Sequence, residues 1–164
     1  MKYELTQNKI NTGNKTLYQI KALESFGEVK RGELGGYIES YENLSLQGNA
    51  WVYGNAKISD NAKISGNAMV YDNAKVFGDA RVYGNAKVSG NAWVSDDARV
   101  YGNAKVSDDS WVFGRAKIYG NAMVSGNAWV SGNAKISGNA WVSDYAFVSG
   151  DAWVYGDAKI SDNA

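Results

Sequence analysis

From Val52 to Ile160 a β-branched aliphatic residue stands at every sixth position, nineteen times without a slip. Two positions before each stands Ala, from Ala50 to Ala158, with Ser110 as the single substitution. The remaining positions are polar or small, and the consensus unit is Gly-Asn-Ala-Lys-Val-Ser. A period of six matches neither a continuous helix at 3.6 nor one long strand. The recurring Gly-Asn and Asp-Asn pairs favour positive φ and break the chain at every unit. The pattern therefore predicts very short strands separated by corners. Strand alternation places the aliphatic and the preceding Ala on one side, one bulky and one small enough for a tight corner, and turns the residues flanking the aliphatic outward.

One unit cannot bury its single Val, so successive turns of chain must stack. The repeat resembles the left-handed parallel β-helix family of hexapeptide repeats, in which three hexads complete one triangular coil. The resemblance covers Leu46 to Ala164 and implies an all-β fold, a left-handed solenoid preceded by a small β cap. The left hand is implied by the resemblance alone, since the usual crossover rule favours the opposite one. Corner Asn residues are expected to hydrogen-bond along the stack, and Gly or Asn to occupy the left-handed region there.

Residues 1–45 lack the period. Leu17 to Leu23 reads as a strand, and Gly32-Glu33-Leu34-Gly35-Gly36-Tyr37-Ile38 as a turn into a first, irregular rung. Ile38 and Leu44 are six apart, but Leu44 and Val52 are eight apart, so the register slips by two before the regular array. This segment is expected to cap one end, because an open coil exposes unpaired backbone groups. The far end runs out in mid-hexad at Ile160-Ser161-Asp162-Asn163-Ala164, for which self-association, with end-to-end packing as one mode, is the expectation. The Leu-Tyr-Gln-Ile-Lys-Ala-Leu and Leu-Gly-Gly-Tyr-Ile stretches are similar to the N-terminal region of uncharacterised repeat proteins of bacteria and their phages that are often labelled transferases. That similarity brings no established activity with it.

Composition narrows the chemistry. Lys plus Arg and Asp plus Glu are both 17, giving a formal net charge of zero, so any electrostatic recognition must be local. There is no Cys, which removes disulfides, thiolate nucleophiles and thiolate metal sites. The N-terminus has no apolar leader region, and apolar runs fall far short of the ~18 residues of a membrane span, so a soluble cytoplasmic protein without membrane partners is the expectation.

The resemblance would imply an acyltransferase with a His general base, or a γ-type carbonic anhydrase with a zinc held by three His. This chain has no His at all. Its carboxylates are mostly exposed corner Asp residues, poor bases for an alcohol. The reading is a protein that is not an enzyme and uses no cofactor. Asp96-Asp97 and Asp108-Asp109 could offer oxygen ligands to calcium, but the residue pattern reads as solvated turns, and no metal site is assigned. Ice binding would need outward Thr arrays, whereas the Thr residues, Thr6, Thr12 and Thr16, all precede the repeats.

Sorting the hexads in threes, one coil at a time, separates three outward columns immediately before the aliphatics. The first is Trp51, Met69, Lys87, Lys105, Met123, Trp141 and Lys159. The second is Lys57, Lys75, Trp93, Trp111, Trp129 and Phe147, with Phe77 and Phe113 beside it. The third is Lys63, Arg81, Arg99, Lys117, Lys135 and Trp153, flanked by Ser65, Tyr83, Tyr101, Tyr119, Ser137 and Tyr155. Monomers rarely leave a contiguous apolar strip in water, so Trp93, Trp111, Phe113, Trp129 and Phe147 are the candidate interface of a homo-oligomer, a dimer or trimer. The competing reading is an aromatic ladder that stabilises the stack within one chain. Basic and aromatic residues interleave at Arg81, Tyr83, Arg99, Tyr101, Lys117 and Tyr119, a candidate anionic-ligand face for a nucleotide or single-stranded nucleic acid. Its plainer reading is a solvated face whose Tyr rings shield basic stems. The sequence thus points to a non-catalytic scaffold or interaction protein. The alternatives are a phage-encoded inhibitor or sponge that binds a host defence protein, a nucleotide or nucleic acid, and, set back by the missing His, an acyltransferase.

Overall fold

A computed structural model describes residues 1–164. Each hexad forms a two-residue strand made of the outward residue and the inward aliphatic, from Trp51–Val52 to Lys159–Ile160. Strands three hexads apart pair in parallel and in strict register, as in Val88 with Val106 and Val94 with Val112. Three sheets result: seven strands carry the first column, six the third, and nine the second together with the N-terminal strands. The protein is an all-β parallel solenoid with three hexads to each turn. No helix is long and apolar enough to cross a membrane.

The interior is the Ala and aliphatic columns, fully buried from Ala50 through Val142. Ser110 occupies its Ala position without an orphaned hydroxyl, because its Oγ donates to the Ser107 carbonyl at 2.6 Å. Corners are made by a residue at positive φ. It is Gly at most corners and Asp at Asp60, Asp72, Asp96, Asp108, Asp144 and Asp162, with φ between 55° and 61°. The Asn that follows builds one unbroken ladder, in which Asn67, Asn85, Asn103, Asn121 and Asn139 each donate to the next coil and the run ends on Asp157.

The cap is a hairpin, β1 (Tyr3–Thr12) and β2 (Lys15–Ala22), followed by β3 (Leu34–Ile38), which is antiparallel to β2. The other edge of β3 pairs in parallel with Lys57–Ile58, so stacking already begins within the segment read as a cap. Ile38 lies opposite Ile58 and Leu44 opposite Ile64, each step longer by two than the one that sets Val52 opposite Val70. The two extra residues sit between Leu44 and Val52. Gly35 and Gly36 let β3 approach the first coil: a Cβ on Gly35 would stand 2.5 Å from the Val52 carbonyl oxygen, and one on Gly36 2.7 Å from that of Ala56. Asn43, fully buried, ties the irregular rung down, accepting from the Glu39 and Ser40 N–H groups and donating to the Asp60 and Ala62 carbonyls. Lys15 pairs with Asp60 in the one ion pair of the structure.

Two expectations fail here. No Asn occupies the left-handed region: every corner residue at positive φ is Gly or Asp, and the Asn stands one position later. Trp51, read as the start of an outward column, is completely buried. Phe26 and Tyr3 pack edge-on against its indole at 5.4 and 6.1 Å between ring centroids, because the cap folds down over the first coil of that face. Its Nε1 is left without a hydrogen-bond partner.

Candidate functional site

The parallel register stacks like residues directly, so each face is a set of ladders. On the second face Trp93, Trp111 and Trp129 are neighbours in adjacent strands. Their rings lie parallel, at 4.8 Å and 1° for the first pair and 4.9 Å and 3° for the second. Phe147 closes the run at 5.8 Å, tilted by 59°. Phe77 and Phe113, from the column after the aliphatics, pack edge-on against Trp93 and Trp129. The Lys75 ammonium lies over the Trp93 ring at 5.2 Å and ends the apolar strip on its N-terminal side. The strip is thus a stacked ladder within the chain that also presents an exposed edge. Stacking covers the ring faces, while ring edges remain in water, increasingly so along the run: Trp93 and Trp111 are partly buried, Trp129 is 39% exposed and Phe147 53%.

The column after the aliphatics also holds a gap. Phe77, Ser95 and Phe113 occupy successive coils, and the small Ser95 between two rings opens a recess of about 180 Å³ floored by Trp93 and Trp111. The recess is apolar and has the volume of one large side chain. Its signal was available in the sequence as a Phe-Ser-Phe alternation at intervals of one coil.

The third face brings its expected residues together. Arg81, Arg99 and Lys117 occupy adjacent strands, and Tyr83, Tyr101 and Tyr119 stack beside them at 4.9 and 5.1 Å, within 4° of parallel. A base inserted between two rings would need them roughly 7 Å apart, twice the ~3.4 Å step of stacked bases. The Tyr rings are closed on each other, which leaves no room for a base between them. Burial, and then the neighbouring Tyr83 and Tyr119 hydroxyls, raise the Tyr101 pKa above its ordinary value, against the opposing pull of Arg99. The corner beside the basic row holds Asp79 and Asp97, which line a polar hollow with Lys63, Arg81 and Arg99, so the row is not uniformly positive.

The first face, without Trp51, was assigned no role from sequence. It nonetheless carries a basin of about 370 Å³ with Lys87 and Lys105 at its centre and Trp141 at one end. The mixed character of the column masks both lysines in the sequence, where the signal is the row of Ser89, Ser107 and Ser125 beside them. No group of three or more Asp or Glu side chains is arranged to hold a metal ion. Four consecutive stretches, residues 62–78, 80–96, 98–114 and 116–132, match the model of the YdcK beta solenoid repeat. Each match spans nearly one coil and starts one full coil after the last, in step with the strand register. No curated protein matches the chain.

Proposed function

We propose that this repeat solenoid is a non-catalytic scaffold that self-associates through its second face, with Trp93, Trp111, Trp129 and Phe147 as the contact. The observation that carries this is the uninterrupted aromatic strip from Trp93 to Phe147, whose ring edges reach water. Water contact with such a strip is unfavourable, and its burial against a like surface is the common solution.

A second copy suits this face because the strip is self-complementary. Trp93 and Phe147 are three coils apart, and Trp111 and Trp129 lie between them on adjacent strands. A two-fold axis passing between Trp111 and Trp129 would set each copy's exposed Phe147 against the recess at Ser95 of the other. Lys57 and Lys75 would fall outside that overlap. The missing His argues against acyl transfer, and five of the positive-φ Asp carboxylates are engaged by backbone N–H groups of the next coil. Similarity of the N-terminal region to bacterial and phage repeat proteins makes a host or phage protein the alternative occupant of the same face.

Sedimentation equilibrium tests the reading. The native chain should weigh as an oligomer at micromolar concentration, and Trp111→Ser with Trp129→Ser should give a folded monomer. A native monomer, or a double variant that still assembles, would overturn it.

A further inference from the structure

We infer that the first face carries a binding site for an acidic sugar, a saccharide bearing a carboxylate or phosphate, in the basin between Tyr71 and Trp141. The site is independent of the tryptophan face. Lys87 and Lys105 are exposed neighbours on adjacent strands, about 4.8 Å apart at the backbone. Like charges directly opposite one another destabilise a sheet. Neither ammonium has a carboxylate within ion-pair distance, since Lys15–Asp60 is the only salt bridge. The nearest acid on the rim, Asp108, already accepts the Gly126 N–H at 3.0 Å. An anion lying between the two lysines supplies the missing countercharge.

The rest of the basin selects what carries that anion. Trp141 is held in place from two sides: its Nε1 donates to Ser125 Oγ at 3.1 Å, and the Lys159 ammonium lies over its ring at 5.9 Å. The indole, 43% exposed, forms the end wall, a platform for the apolar face of a sugar ring. Along one side run the hydroxyls of Ser89, Ser107 and Ser125, which both donate and accept and suit a ligand rich in hydroxyls. The backbone N–H groups of Lys87, Ser89, Lys105 and Ser107 all donate to the next coil. With no side-chain amide in the lining either, the basin lacks the directional pairs that read the edge of a nucleobase. Its volume lies within the range of small-molecule sites, near the lower end.

Isothermal titration of the full chain with digalacturonate, glucose 6-phosphate, maltose and AMP tests the site. Digalacturonate or glucose 6-phosphate should bind, which of them identifying the anion, and added salt should weaken the interaction. Maltose should not bind. Lys87→Gln with Lys105→Gln should reduce affinity about ten-fold or more, as expected for two charge-assisted hydrogen bonds. Trp141→Ala should also weaken it, and all these side chains are exposed enough for melting to confirm an intact fold. Failure of both anionic sugars to bind, equal affinity in the lysine variant, or tighter binding of AMP overturns the assignment.

Discussion

Asp72 accepts the backbone N–H of Gly90, one coil further on, at 3.0 Å. The same link joins Asp60 to Gly78, Asp96 to Gly114 and Asp108 to Gly126. It explains why Asp replaces Gly at a positive φ that most side chains avoid: the carboxylate satisfies a corner donor that the stacking leaves free. Asp72→Ala keeps the strained backbone and loses the acceptor, so it should destabilise by about 1–2 kcal/mol. Asp72→Gly loses the acceptor but relieves the strain and should be milder. Urea denaturation ranking Ala above Gly in stability would refute this account of the corner.

The interior leaves no room beside the small corner residue. Ala86 is fully buried within the aliphatic column. Ala86→Leu should therefore overpack one coil and lower stability by ~1–3 kcal/mol. A melting temperature equal to that of the native chain would contradict the inward placement.

The cap is attached by a close backbone approach. Besides the Val52 carbonyl, a Cβ at Gly35 would meet Ile20 at 2.7 Å and Trp51 at 2.8 Å. Gly35→Ala should cost about 3 kcal/mol and loosen β3 from the first coil. Hydrogen exchange should show faster exchange in the first coil while protection around Val100 to Val130 persists; uniform protection in both regions would count against that anchoring role.

Lys2 makes the cap sensitive to alkaline pH. Its ammonium is almost fully buried, donates to the Ala50 carbonyl at 2.8 Å and to Ser45 at 3.3 Å, and lies over the Phe26 ring. Burial lowers its pKa from 10.5 to about 8, partly offset by Glu24. The folded chain thus binds fewer protons than the unfolded chain between about pH 8 and 10.5, and this group's contribution makes stability rise across that window. Tyr3, whose hydroxyl donates to the Leu44 carbonyl at 2.6 Å, acts in the opposite sense above pH 10, because burial raises its pKa. Denaturation at pH 7.5 and 9.5 should show a gain for the native chain that Lys2→Met abolishes. An equal gain in the variant would assign it to another group.

How far the sequence reaches depends on whether a residue's neighbours repeat. In the array, position i meets i+18; the six-residue period determined the strands and the inward Val and Ala columns, and the three-hexad coil implied by the β-helix resemblance sorted the Asn ladder and the composition of each face. The period could not determine Trp51, which carries the signature of an outward residue but is buried by Phe26 and Tyr3, residues brought to it by an aperiodic hairpin. Nor could it tell that the Tyr83, Tyr101 and Tyr119 rings close on one another, or that Asp72 serves as a backbone acceptor. The Ser95 recess and the Lys87–Lys105 basin are likewise tertiary. The first lies where Ser95 stands between two Phe rings and the second where two lysines and a row of Ser stand between bulkier side chains of other coils, and a concavity is a property of several side chains packed together, which a one-dimensional period does not encode.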